Sequence, residues 1–102
     1  MRLSDEEIRI RIGEFPGWKY QGNSVVKQFE FEDFGQAVDF VAKIVPIAEG
    51  MNHHPDIEIK NVSHVVVSLT THDEKGVTDL DFDLAGRIEQ LTGGPGLTEI
   101  KL

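Results

Sequence analysis

The sequence predicts an α+β fold in the order α-β-β-α-β-β-α, a four-stranded antiparallel sheet with three helices packed on one face. Three observations lead there. Apolar residues recur at helical spacing in three segments, whereas four others are short, β-branched or alternating. The strand-like segments fall into two pairs, each joined by a short turn, as hairpins are. A helical segment separates the pairs, which points to helices set apart from an antiparallel sheet. Because the strands alternate, one sheet face should be packed and the other more polar.

The elements follow in chain order. Ser4 with Asp5, Glu6 and Glu7 opens the first helix, the hydroxyl as cap and Glu7 completing a capping box. Ile8 and Ile12 share a face, and Gly13 and Pro16-Gly17 stop the helix. Trp18 to Gln21 and Ser24 to Phe31 form a hairpin around Gly22-Asn23, with Val25, Phe29 and Phe31 on one side. Asp33 caps a second helix, in which Phe34, Val38, Val41, Val45 and Ala48 supply the stripe. Pro46 should kink its last turn and Gly50 should end it. Asp56 to Lys60 alternates as a half-buried strand, and Val62 to Thr71 is long and β-branched. Asp73 to Gly76 is a turn. Thr78 and Asp81 form a second capping box, opening a helix striped by Leu80, Leu84, Ile88 and Leu91. Residues 1–92 thus make one domain, and 93–102, starting with Gly93-Gly94-Pro95-Gly96, a C-terminal tail.

Composition narrows the function classes. The chain has 102 residues, 39% of them hydrophobic, enough for one core. Its net charge of −8 argues against a direct nucleic-acid or anionic-membrane partner. It has no cysteine, which removes disulfides, thiolate nucleophiles and Cys-type zinc sites. No apolar run is long enough to cross a bilayer. Met1 to Glu7 lacks the basic start and apolar stretch of a secretion signal, so a cytoplasmic location is expected.

The chemistry-bearing residues are the four histidines, His53, His54, His64 and His72. His53-His54-Pro55 lies between the second helix and third strand, with Pro55 biasing His54 toward extended backbone. His72 follows the fourth strand. If strands three and four form a hairpin, His72 returns beside His53 and His54. Three readings are open. The pair could simply cap a helix; imidazoles could hold zinc; or, titrating near neutral pH, they could deliver and remove protons in one reaction. Dehydration is such a reaction: an acid turns hydroxide into departing water, and a base takes the proton whose electrons form the new double bond. No His-Glu-x-x-His pattern, phosphate-binding glycine loop or Gly-x-Ser-x-Gly elbow occurs.

The run Glu49-Gly50-Met51-Asn52-His53-His54-Pro55, then Thr71-His72, then Gly76-Val77-Thr78 and Asp81, resembles the pterin-4a-carbinolamine dehydratase family. Leu3 to Glu7, Pro16-Gly17-Trp18, Phe29 to Phe31 before Asp33-Phe34, and Ile88 to Leu91 extend the resemblance over residues 3 to 91. It implies the same element order and assembly as a homodimer or homotetramer. It also implies loss of water from 4a-hydroxytetrahydropterin, giving a quinonoid dihydropterin that is recycled for aromatic amino-acid hydroxylases. The small-molecule pterin would be the substrate, with no cofactor and no metal. By position, the resemblance makes His53 and His72 the acid/base pair, and His54 a catalytic-site residue that mainly holds the pterin. Glu49 and Asp81 would orient imidazoles or bond the pterin ring, and Asn52, Thr70, Thr71 and Asp73 would line the pocket.

The sequence departs from the family pattern in places. Asn61 and Val62 stand where an aromatic residue is usual, and Asn52 where an acid is frequent. The His54–His72 separation is one residue longer, which a β-bulge near Asn61 to His64 would absorb. The alternative function is a non-catalytic dimerisation or coactivator-type module, docking through Leu80, Leu84 and Ile88.

Overall fold

Ser4 opens the first helix as its local chemistry requires. Its hydroxyl accepts from the Glu7 N–H at 3.1 Å while Glu7 Oε1 accepts from the Ser4 N–H at 2.9 Å. The computed structural model, which describes residues 1–92, then runs α1 (Asp5–Ile12), β1 (Lys19–Gln21), β2 (Ser24–Glu30), α2 (Phe34–Met51), β3 (Asp56–Lys60), β4 (His64–Leu69) and α3 (Asp79–Gln90). A single 3-10 turn, His72–Glu74, lies between β4 and α3. The predicted tail, 93–102, lies outside the described residues.

The sheet is antiparallel throughout in the order β1-β2-β4-β3. Alternation in the strands sorts its two faces. Val25 and Leu69 stand opposite each other, as do Phe29 and Val65, and these inward residues are buried with Val67. Ile57 and Ile59 of the edge strand β3 continue the same rows. Against this face pack Ile8 of α1, Phe40 and Ile44 of α2, and Phe82, Leu84 and Ile88 of α3. The one inward charge of β2 is paired: Lys27 Nζ donates to Glu89 Oε2 at 2.5 Å, and Trp18 Nε1 donates to the same oxygen at 2.8 Å. This contact joins the first hairpin to α3. Trp18 is buried core.

Three elements differ from the sequence reading. The α2 stripe is Ala37, Phe40, Ile44 and Ala48, while Phe34, Val38 and Val45 are 56%, 40% and 52% exposed. This helix is apolar around much of its circumference, so periodicity allows two stripes, and the one with Phe40 and Ile44 meets the sheet. The helix also continues through Pro46 and past Gly50, ending at Met51 with Asn52 as a left-handed cap. In α3, Leu80 is exposed while Phe82 and Ala85 are buried.

The third difference is the second hairpin. β4 begins at His64, because Asn61 and Val62 both have positive φ, 51° and 72°. The Ser63 N–H reaches back to the Asn61 C=O at 2.8 Å, a three-residue turn centred on Val62. The ladder is uninterrupted from Asp56↔Ser68 to Lys60↔His64, and β2–β4 is equally regular. No bulge is needed, since the turn takes up the chain length. Among the described residues, no helix is long and apolar enough to cross a membrane.

Candidate functional site

Two chain reversals build the site. At the end of α2, Asn52 adopts φ 52° and ψ 42°, and its N–H bonds to the Ala48 and Glu49 carbonyls. The His53 N–H bonds to the Ala48 C=O at 3.1 Å, so the chain leaves the helix with His53 turned inward and His54 outward. Pro55 then leads into β3. At the far end of β4, Thr71 pairs with Gly76 across a tight loop closed by Lys75 at φ 61°. The N-terminal segment lies over this loop: the Leu3 N–H donates to the Val77 C=O at 2.8 Å and Arg2 Nη1 to the Lys75 C=O at 3.2 Å. A Cβ at Gly76 would run into the Arg2 side chain.

The β3–β4 hairpin returns Thr71 to the neighbourhood of His53, and α3 supplies the group that joins them. Asp81 is 0% exposed. Its Oδ1 lies 2.6 Å from His53 Nε2. Its Oδ2 accepts from the Thr71 hydroxyl at 2.8 Å and the Thr78 N–H at 2.9 Å. The Thr71 and Thr78 hydroxyls are 2.7 Å apart, and Thr78 Oγ1 also accepts from the Leu80 N–H at 3.2 Å. The capping box of α3 is therefore also the anchor of an imidazole.

The remaining predicted site residues are more scattered. His54 Nε2 meets Glu49 Oε2 at 2.8 Å, an exposed pair of little energetic weight. Both line a cavity of about 330 Å³ with Ile44, Val45, Ala48, Pro55 and Ile57. A second cavity, of about 400 Å³, is lined by Met1, Thr71, Asp73, Glu74, Thr78, Asp79 and Leu80. His53 and His72 line neither of these two. His72 opens the 3-10 turn and is exposed, one residue beyond the Thr71 that reaches Asp81. Thr70 donates its hydroxyl to the Asn23 C=O at 2.6 Å, bridging to the first hairpin, and Asn52 serves as the α2 cap. His64 is partly buried on the open sheet face, 4.0 Å from Glu30. Among the described residues, no three His, Asp or Glu side chains group as a metal site would require.

The sequence reading placed Thr78 as the cap of the last helix but not among the site residues. The signal was there in the capping box, but the bond from its acid to a histidine 28 residues away depends on tertiary packing.

The chain is similar to known proteins along most of its length. Residues 1–91 match the family model described as Pterin 4 alpha carbinolamine dehydratase. A protein of Picosynechococcus sp., named as a candidate pterin-4-alpha-carbinolamine dehydratase, is 49% identical over 90 residues, covering 88% of this chain and 97% of its own. A Sulfurisphaera tokodaii protein of the same name is 48% identical over 90 residues, covering 88% and 96%. Among solved structures, a transcriptional coactivator/pterin dehydratase from Brucella melitensis superposes with TM-score 0.83 at 31% identity, over 89% of this chain and 98% of that one. A pterin dehydratase-like protein identified as a RuBisCO assembly factor in the alpha-carboxysome shares the fold, with TM-score 0.64 at 22% identity, over 76% and 92%.

Proposed function

The chain belongs to the pterin 4 alpha carbinolamine dehydratase family, and from that premise we propose that it removes water from a 4a-hydroxytetrahydropterin, yielding the quinonoid dihydropterin for recycling. The reaction needs one group to protonate the departing hydroxyl and another to take the proton whose electrons form the new double bond. Imidazoles do both near neutral pH.

The observation that carries this reading is the contact between His53 and the buried Asp81. A buried carboxylate costs stability unless hydrogen bonds compensate it. Here the compensating groups include a histidine from the His-His-Pro turn. His53 is the acid/base residue held by this contact. His72, exposed beside Thr71, is its partner in proton transfer, and His54 with Glu49 holds the pterin. In this reading Thr71 and Asp73, which line one cavity, are its wall, while Asn52 and Thr70 stand at the ends of α2 and β4, next to the histidine-bearing turns. Asp81 acts on the substrate through His53.

The test is a coupled assay following loss of the 4a-carbinolamine absorbance. The wild type accelerates the loss. His72→Ala, at an exposed position, lowers turnover by roughly 10²–10⁴-fold with the fold intact; His53→Ala lowers it by as much and also destabilises the fold, because it takes a partner from the buried Asp81. A wild type no faster than buffer ends this reading.

A protein-binding role is the second reading, favoured by the exposed Phe34, Val38 and Val45 of α2. The α3 stripe expected to dock partners is unsuited, because Leu84 and Ile88 are buried against this chain's own sheet. Such a module would leave histidine substitutions silent.

A further inference from the structure

The hydrogens around Asp81 can be placed one by one. A carboxylate only accepts, whereas an imidazole N–H donates. The Oδ2 atom receives the Thr71 hydroxyl and the Thr78 N–H. Since Thr71 gives its only hydroxyl hydrogen to Asp81, the 2.7 Å contact to Thr78 must be made by the Thr78 hydroxyl donating to Thr71. Thr78 in turn accepts from the Leu80 N–H. These contacts form a one-way chain ending on Asp81. Its Oδ1 atom then meets His53 Nε2 at 2.6 Å. A lone pair on each atom would repel at that distance, so a neutral His53 carries its hydrogen on Nε2 and its lone pair on Nδ1.

The other ring nitrogen faces a different environment. Nδ1 of His53 has no hydrogen-bond partner among the described residues, and among those residues no buried polar side-chain atom goes unpartnered. Among the described residues, then, no protein group holds Nδ1, and it is not a fully enclosed unpartnered atom although the ring as a whole is buried.

We infer that His53 exchanges protons with its ligand through Nδ1, and that Asp81, Thr71 and Thr78 are positioning residues that fix this tautomer and aim the ring. The inference rests on the dehydration reading for the identity of the ligand, but the tautomer does not. In one direction a proton on Nδ1 passes to the departing hydroxyl and leaves the lone pair; in the other, that lone pair takes a proton from the ligand. Nε2 keeps its hydrogen on Asp81 throughout. The ring is restrained from turning over, because an exchange of its nitrogens would set a lone pair against Oδ1.

Long-range ¹H–¹⁵N spectra of the labelled protein, at a pH that leaves the ring neutral, read the tautomer directly. The wild type shows the Nε2–H form at His53. In Asp81→Asn the side-chain oxygen stays with the Thr71 and Thr78 donors, so the new NH₂ faces Nε2. Nε2 must then accept, and the ring hydrogen moves to Nδ1. The tautomer inverts, and kcat falls by on the order of 10²-fold or more, as expected when a catalytic imidazole is held in the wrong form. In Thr71→Val one donor to Oδ2 is lost; kcat drops roughly tenfold, the worth of one hydrogen bond, KM changes little, and Thr71→Ser restores it. A wild-type His53 in the Nδ1–H form overturns the inference, as does an Asp81→Asn protein that inverts the tautomer yet keeps wild-type turnover. A wild type with the expected tautomer but no dehydratase activity sinks the functional reading and leaves the positioning network standing.

Discussion

At the scale of single residues, local hydrogen bonds were readable and remote ones were not. Ser4 and Glu7 are three positions apart, and their capping box needs nothing beyond the chain itself. Tyr20 shows the opposite case. Its hydroxyl donates to Asp5 Oδ1 at 2.7 Å, tying β1 to the first turn of α1, and nothing in the periodicity marks this pair. Loss of that bond on ionisation, then burial and the nearby carboxylate charge, hold the phenol above its ordinary value of 10.0. A folded-state value above the unfolded one stabilises below the ordinary phenol range, and that contribution disappears as pH rises through the folded value. Tyr20 is the chain's only tyrosine, so phenolate absorbance reports it alone. Its midpoint should lie above 10.0 and return toward it in Asp5→Asn. A wild-type midpoint at or below the free phenol's would refute this.

At the scale of elements, the sequence pattern found the three α-helices and four strands of residues 1–92 but not always the right face. For α2 the sequence offers two apolar stripes, and only the sheet decides that Phe40 and Ile44 go inward. For the second hairpin, Val62 looks like the start of a strand because it is β-branched. It instead holds φ 72°, where a branched Cβ is strained, and its side chain is 66% exposed. A left-handed residue costs roughly 1–2 kcal/mol without glycine's freedom, and an exposed side chain gives little packing in return. Val62→Gly should therefore stabilise the protein by about 1 kcal/mol after the entropy of the added glycine. Urea unfolding followed by Trp18 fluorescence measures this, and a lower midpoint would refute it. The candidate site was legible to the same extent. The hairpin argument expected His72 beside His53 and His54; the contact seen is that of the preceding residue, Thr71, made through Asp81, and it appears only once α3 packs beside both.

At the scale of the whole molecule, the apolar side chains that the core leaves out become informative. Phe34, Val38 and Val45 stay exposed on an acidic chain whose net charge of −8 opposes association. We expect a second copy of this chain to cover them, through a contact whose apolar area outweighs the repulsion. Light scattering should then give a mass that is a multiple of 11.4 kDa, and Val45→Glu should return it to the single chain. A wild type that scatters as a monomer at all ionic strengths would dismiss this.

The three-residue tip from Asn61 to Ser63 adds length without disturbing the ladder behind it. It works as a buffer: a longer or shorter tip changes only the apex, while the opposite end of the hairpin, where Thr71 meets Asp81, keeps its alignment. Grafting an epitope or a fluorophore-bearing peptide after Val62 is thus a way to tag this protein at the far end of the hairpin from its histidine turn.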